Sequence, residues 1–361
     1  MLPLPVARSR CGMFRMQASM AHMPKFTWKQ LRPTPDAAKG VPCERSSHGL
    51  SFLPRDGGGS RLILYGGERV ARTPLEPAEA LWAAEGDSDW TWRCLTCEGP
   101  PPRVAHAQAS VGSAVYIFGG RCGTAMEEQP LNDLWVLDCD RPGKEAWSKV
   151  QLGAGSDEPP EPRSFHRMMA IGTNLYVFGG CGASGRLADL HQFDTVRSTW
   201  HNLATSKLRG RGGPNLVHLG QSNRLAVVAG FAGKETNDGH AYDLSMGAWE
   251  QSLLSGLADL RPRSVSVAIS FHSFSAVFGG EVNPSDLGHE GAGGFENDVA
   301  LLDDSGALMA TIPADHTWPE PRGWSDGTRA NGDFRFYIFG GLTGDDQNPR
   351  RLNDLWQCDV E

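Results

Sequence analysis

The sequence predicts an all-β protein, a propeller of six four-stranded blades around a central axis. Three observations carry that expectation. An apolar, β-rich run ending in a small-residue doublet occurs six times, the doublets recur at a period near 50 residues, and the final unit lacks a strand that the beginning of the chain can supply.

The six runs are Leu64-Tyr65-Gly66-Gly67, Tyr116-Ile117-Phe118-Gly119-Gly120, Tyr176-Val177-Phe178-Gly179-Gly180, Val227-Val228-Ala229-Gly230, Ala276-Val277-Phe278-Gly279-Gly280 and Tyr337-Ile338-Phe339-Gly340-Gly341. Aromatic and β-branched residues in such runs fit strands buried on both faces, and glycines end them where neighbouring backbones crowd. A variable loop follows each doublet. A third strand then shares an ending in most units: Leu131-Asn132-Asp133-Leu134-Trp135, Leu187-Ala188-Asp189-Leu190, Asn297-Asp298-Val299 and Leu352-Asn353-Asp354-Leu355-Trp356. A fourth strand carrying Trp comes next. Phe193 to Trp200 and Tyr242 to Trp249 each enclose six residues, while Trp92 and Trp147 fill the same role after longer turns.

With these residues in view, the chain resembles the Kelch-repeat family, which implies a six-bladed Kelch β-propeller over residues 25–361. The fourth unit departs furthest from the pattern. The sixth unit stops at Glu361, just after Asp354-Leu355-Trp356, whereas Phe26-Thr27-Trp28-Lys29-Gln30-Leu31 has the look of a fourth strand. This N-terminal strand should therefore complete the last blade and leave no sheet edge open.

Composition narrows the function classes. A formal net charge of −8 argues against nucleic acid and anionic membranes as partners, because phosphate binding needs clustered Lys and Arg. No run of about 18 apolar residues is present, so no bilayer span is expected. Residues 1–24 read as a disordered or targeting extension: Arg8, Arg10, Arg15 and Lys25 occur with no acid before Asp36, a bias of organelle transit peptides. Untargeted disorder, or a start codon at Met13, Met16, Met20 or Met23, explains that bias equally. Eight irregularly spaced cysteines suit a reducing compartment, so a cytoplasmic location is expected, with an organelle as the alternative. Cys94 and Cys97 form one CxxC without the second pair that a zinc site requires.

Strand direction places the loop entering strand one and the loop joining strands two and three on the same face of each blade. The entering loops carry Arg45, Arg103, Arg163, Arg263 and Arg322, with Arg211 as a fourth-blade counterpart. Two uses are open for this ring. It can pair with carboxylates of neighbouring loops, or it can bind a small anionic substrate through paired guanidinium hydrogen bonds. Glu68, Arg121, Cys181, Phe231, Glu281 and Leu342, directly after the doublets, should open onto the same mouth. His48, His106, His166 and His218 recur near strand one, and repetition makes them structural first.

The fifth such loop, from Glu281 to Asn297, is long, and its Glu281, Asp286 and His289 form a candidate ligand set for ferrous iron. Together with Arg103-Val104-Ala105-His106 and Arg45-Ser46-Ser47-His48, this loop resembles the plant specifier proteins, Kelch proteins of glucosinolate breakdown. That resemblance implies an iron-dependent, lyase-like activity on an unstable aglycone, with iron held by Glu, Asp and His at intervals of four. Glu281 and His289 match the interval, but the middle position is Ser285 and Asp286 lies one residue late. A one-residue offset re-aims a side chain, and metal sites tolerate errors of only about 0.2 Å. The family's anion-holding arginines would correspond to Arg103 and Arg163. Loop residues Asp286, His289 and Glu296 can equally serve as turn caps. Two functions are therefore expected from different classes: a binding module for a protein, peptide or small anionic ligand, and an iron-dependent specifier relative.

Overall fold

A computed structural model describes residues 23–54, 59–123, 130–332 and 334–361, apart from the side chain of His289. Most of the extension expected over residues 1–24 lies outside the described residues. Six four-stranded antiparallel sheets form the blades. The first five run in chain order from the inside out, beginning with Gly49–Pro54, Ala107–Val111, Arg167–Ile171, Asn215–Leu219 and Val267–Ser270. The sixth contains Asp326–Arg329, Arg335–Thr343 and Arg350–Val360, and its outer strand is Phe26–Leu31.

The expected closure by the N-terminal strand is present. Phe26 pairs with Val360 and Leu31 with Leu355 in continuous antiparallel register. Alternation explains why this segment is a strand: Phe26, Trp28 and Leu31 are buried while Thr27 and Lys29 face solvent. The Trp28 ring lies 4.9 Å from Phe278 and 5.2 Å, edge on, from Phe336. It thus joins blade five to blade six. Each fully buried side chain of this size contributes roughly 1.5–3 kcal/mol.

The second strand of every blade is the apolar run read from the sequence. Leu62, Ile63, Val115, Ile117, Val177, Phe178, Val227 and Phe339 are fully buried. The least regular repeat still makes a whole blade, from Asn215–Leu219 through Arg224–Phe231 and Glu235–Asp243 to Ala248–Trp249. No helix among the described residues is long and apolar enough to cross a membrane.

Two closed circles of backbone hydrogen bonds surround the axis. In the first, the second residue of each doublet donates to the carbonyl of the next blade's arginine: Gly67 to Arg103, Gly120 to Arg163, Gly180 to Arg211, Gly230 to Arg263, Gly280 to Arg322 and Gly341 to Arg45, at 2.8–3.1 Å. The close approach of each blade's own entering loop is why a doublet glycine is required. A Cβ on Gly120 would stand 2.7 Å from the Val104 carbonyl, at a φ of +93° that side chains disfavour.

The second circle lies two residues beyond each arginine. Ala105 donates to Ser47, Phe165 to Ala105, Gly213 to Phe165, Val265 to Gly213, Trp324 to Val265 and Ser47 to Trp324. All six residues adopt positive φ, between 49° and 58°. For Val265 and its bulky neighbours this conformation is unfavourable, so the circle of bonds imposes it.

Candidate functional site

The arginine ring is the most regular side-chain feature of the molecule. Arg45, Arg103, Arg163, Arg211 and Arg263 have no exposed surface, and Arg322 has 1%. Each Nε donates to the carbonyl two residues earlier, and each Nη1 to the carbonyl of the first doublet residue, as in Arg103 to Pro101 and to Gly119 at 3.2 and 3.0 Å. Five then grip an aspartate at the start of their own blade's third strand through both oxygens: Asp133, Asp189, Asp238, Asp298 and Asp354. Burial opposes the charge on Asp133, but hydrogen bonds from Arg103 outweigh it and hold the carboxyl below its usual range.

Blade one has Ala80 where the others have aspartate, and Arg45 instead donates to the carbonyls of Gly66, Glu79 and Ala80. Arg45, Arg103, Arg163, Arg263 and Arg322, expected as a ligand-binding ring, thus direct their hydrogen bonds inward, to carbonyls in blade one and to aspartates and carbonyls in the others.

The entering loop and the residue after the doublet share one mouth, as strand direction requires. They are bridged in every blade: Ser46 with Glu68, Val104 with Arg121, Ser164 with Cys181, Gly212 with Phe231, Ser264 with Glu281 and Gly323 with Leu342. Above the positive-φ circle, on blades three to six, opens a cavity of about 270 Å³. Its walls are Phe165, Phe231, Val265, Pro284 and Trp324, with Cys181 and Glu281 among its polar members. The exposed Arg186 guanidinium lies over the Phe231 ring, 4.5 Å from its centre, a cation–π contact.

Glu281 is only 5% exposed. Burial, reinforced by the nearby Glu235 carboxylate, pushes its carboxyl up to about 8, although the Ser285 amide donates to it. Glu235, also buried, accepts from the Ser264 hydroxyl at 3.3 Å, and burial raises its pKa as well. Sequence reasoning missed Glu235. The tight turn at residues 232–234 sets it opposite Phe231 in register, a signal hidden in the least regular repeat.

Among the described residues, no other candidate iron ligand joins Glu281. Asp286 is exposed. The Ser285 hydroxyl donates to Asp346 and accepts from the Leu287 amide. The side chain of His289 lies outside the described residues, and among those described no three His, Cys, Asp or Glu come together as a metal would need.

Below the circle, the innermost strands line a polar chamber of about 350 Å³ containing Arg167, Asp326, Arg329 and Gln108. His48 and His106 lie at the neck between the two spaces. Burial, then Arg103, depresses His106 to about 3, so it is a neutral ring.

The KLHDC2/KLHL20/DRC7 Kelch-repeats domain matches residues 12–156 and 123–280. An N-(sulfonatooxy)prop-2-enimidothioate sulfolyase of Thlaspi arvense is 25% identical over 328 residues, covering 83% of this chain and 89% of that protein. Adagio protein 3 of Arabidopsis thaliana is 30% identical over 318 residues, covering 82% of this chain but only 48% of that protein. The chain thus spans about half the length of the Adagio relative. Among solved structures, YjhT matches with a TM-score of 0.64 at 16% identity, covering 89% of this chain and 98% of its own, a likeness of fold.

Proposed function

The chain belongs to the Kelch-repeat family, and from that premise we propose that it is a recognition module that binds a segment of a partner protein in its upper mouth. Kelch domains often serve as protein-interaction modules. The observation that carries the reading here is the cavity over the positive-φ circle. At about 270 Å³ it falls just below the roughly 300–1,000 Å³ usual for small-molecule pockets, a size that suits one inserted side chain of a larger ligand. Its aromatic walls rest on backbone fixed by two circles of hydrogen bonds, so the site is organised before binding. Aromatic anchors in a concave mouth are the usual source of binding energy at protein interfaces. The buried arginine ring, bonded within its own blades, favours this reading over the anionic-ligand alternative.

The test is selection of a displayed random peptide library against the whole chain, followed by binding to Cys181→Trp, which fills the cavity. Enriched peptides should lose most of their affinity for that variant while its melting temperature stays near that of the unmodified chain. A selection that yields no peptide sensitive to Cys181→Trp contradicts the reading.

A second reading, iron-dependent sulfolyase-like chemistry, draws support from the Thlaspi relative, which matches over most of both chains. The described ligand set does not assemble around Glu281, so no catalytic step is derived for it.

A further inference from the structure

We infer that the upper cavity selects a cationic side chain, the ammonium of a lysine or the guanidinium of an arginine in the partner segment. This rests on the partner-segment reading and names what the segment must carry. Three features of the cavity converge on that chemistry.

The first is an acid set in an apolar wall. Glu281 lines the cavity, yet it is more than nine-tenths buried, and Glu235 stands behind it across Ser264. Neither carboxyl forms an ion pair with a described Lys, Arg or His, and no cation contributes to the ionisation of either. Among the described residues the other buried acid, Glu68, has the Arg351 guanidinium at 3.5 Å. The partly buried blade aspartates each meet a buried guanidinium, and Glu145 meets both Arg61 and Arg93. A buried carboxyl without a counter-charge offers an incoming cation a partner that nothing else in the fold has taken.

The second feature is the wall itself. Phe165, Phe231 and Trp324 line the same space, and aromatic faces attract ammonium and guanidinium groups. The third is that the chain already shows such a contact, because Arg186 covers Phe231 at 4.5 Å. Arg186 is exposed and its charge is screened by water, whereas Glu281 is screened far less. Arg186 therefore opposes an incoming cation only weakly.

The experiment is a double-mutant cycle on mouth-dependent peptides from the library selection, with EDTA present throughout. Each peptide is made with its Lys or Arg and with norleucine in that place, and each is titrated against the unmodified chain and Glu281→Gln. The expected result is enrichment of Lys or Arg at one peptide position, with norleucine costing about tenfold in affinity. Glu281→Gln should cost the cationic peptide a similar factor and leave the norleucine peptide nearly unchanged. Glutamine preserves shape and removes a buried acid, so its melting temperature should equal or exceed that of the unmodified chain.

Three results overturn the inference. One is mouth-dependent peptides without a required cation, or with an acidic residue whose affinity depends on Arg186; these leave the partner-segment reading standing. Another is binding that appears only when a divalent metal replaces EDTA. The last is a selection with no clone sensitive to Cys181→Trp, in which case the partner-segment reading fails first.

Discussion

The Gly341 amide donates to the Arg45 carbonyl at 2.9 Å, closing a circle of six such bonds between the last repeat and the first. At the periphery the closing strand Phe26–Leu31 pairs within blade six, and Thr34 just beyond it exchanges backbone bonds with Trp90 and Trp92 of blade one. Ring closure thus depends on two devices, an inner circle of backbone bonds and an outer strand borrowed from the opposite end of the chain.

Deleting residues 1–22 is expected to leave chemical denaturation unchanged, while deleting residues 1–33 should lower stability by about 5 kcal/mol or more. That magnitude follows from exposing Phe26, Trp28 and Leu31, at roughly 1.5–3 kcal/mol each, together with a new sheet edge. Equal denaturation midpoints for the two truncations would contradict the closure.

The closed arginine ring predicts a stability effect rather than a binding effect. Asp133→Ala leaves Arg103 buried without its counter-charge and should cost about 3–5 kcal/mol in urea unfolding. An exposed control such as Asp286→Ala should fall within about 0.5 kcal/mol of the unmodified chain. A small effect at Asp133, together with a sulfate-induced thermal stabilisation that is lost in Arg103→Ala, would restore the anion-binding role.

Much of this was legible in the sequence, and the rest was obscured for identifiable reasons. The doublets, the closing strand and the shared mouth follow from period, strand alternation and strand direction. Asp133 and its equivalents were visible in the shared third-strand ending, but their pairing with Arg103 and its equivalents spans about 30 residues and has no local signature. The positive-φ circle was invisible for a stronger reason. Its positions hold Ser47, Ala105, Phe165, Gly213, Val265 and Trp324, and only Gly213 is a residue that favours that conformation locally. Long-range bonds between blades decide it, so propensity could not. Glu281 was found as a possible metal ligand, yet its burial beside Glu235 depends on register in two different blades.

Glu281 also predicts a pH dependence with a definite sign. Its carboxyl titrates near 4.5 when unfolded and about 8 when folded. Between those values the unfolded chain releases its proton first, so the stability contributed by the neutral acid is complete below 4.5 and is lost as pH rises through 8. Glu235 and Asp346 face the same group and reinforce this direction. Melting temperatures of the unmodified chain and Glu281→Gln should therefore diverge from pH 5 to pH 8.5, with the variant gaining. Parallel curves over that range would show that Glu281 is not held neutral.

Protein purified without oxygen and supplied with ferrous iron should retain well under one equivalent after desalting, because Ser285 is bonded to Asp346 and Asp286 is exposed. Myrosinase digests of an aliphatic glucosinolate should then give the same product ratio with and without the protein. Stoichiometric iron, lost in Glu281→Ala and accompanied by nitrile formation, would raise the sulfolyase-like reading above the binding module.

The most direct measurement uses Cys181, a half-buried free thiol that lines the upper cavity. Burial raises its pKa, so alkylation by iodoacetamide is followed at pH 8.5 with and without a saturating library-selected peptide, and modified sites are read by mass spectrometry. Occupation of the cavity predicts that the peptide slows modification of Cys181 about tenfold or more while leaving Cys97, remote on blade one, unchanged. Peptide binding that leaves the Cys181 rate unaltered would place the contact elsewhere on the propeller and contradict the account.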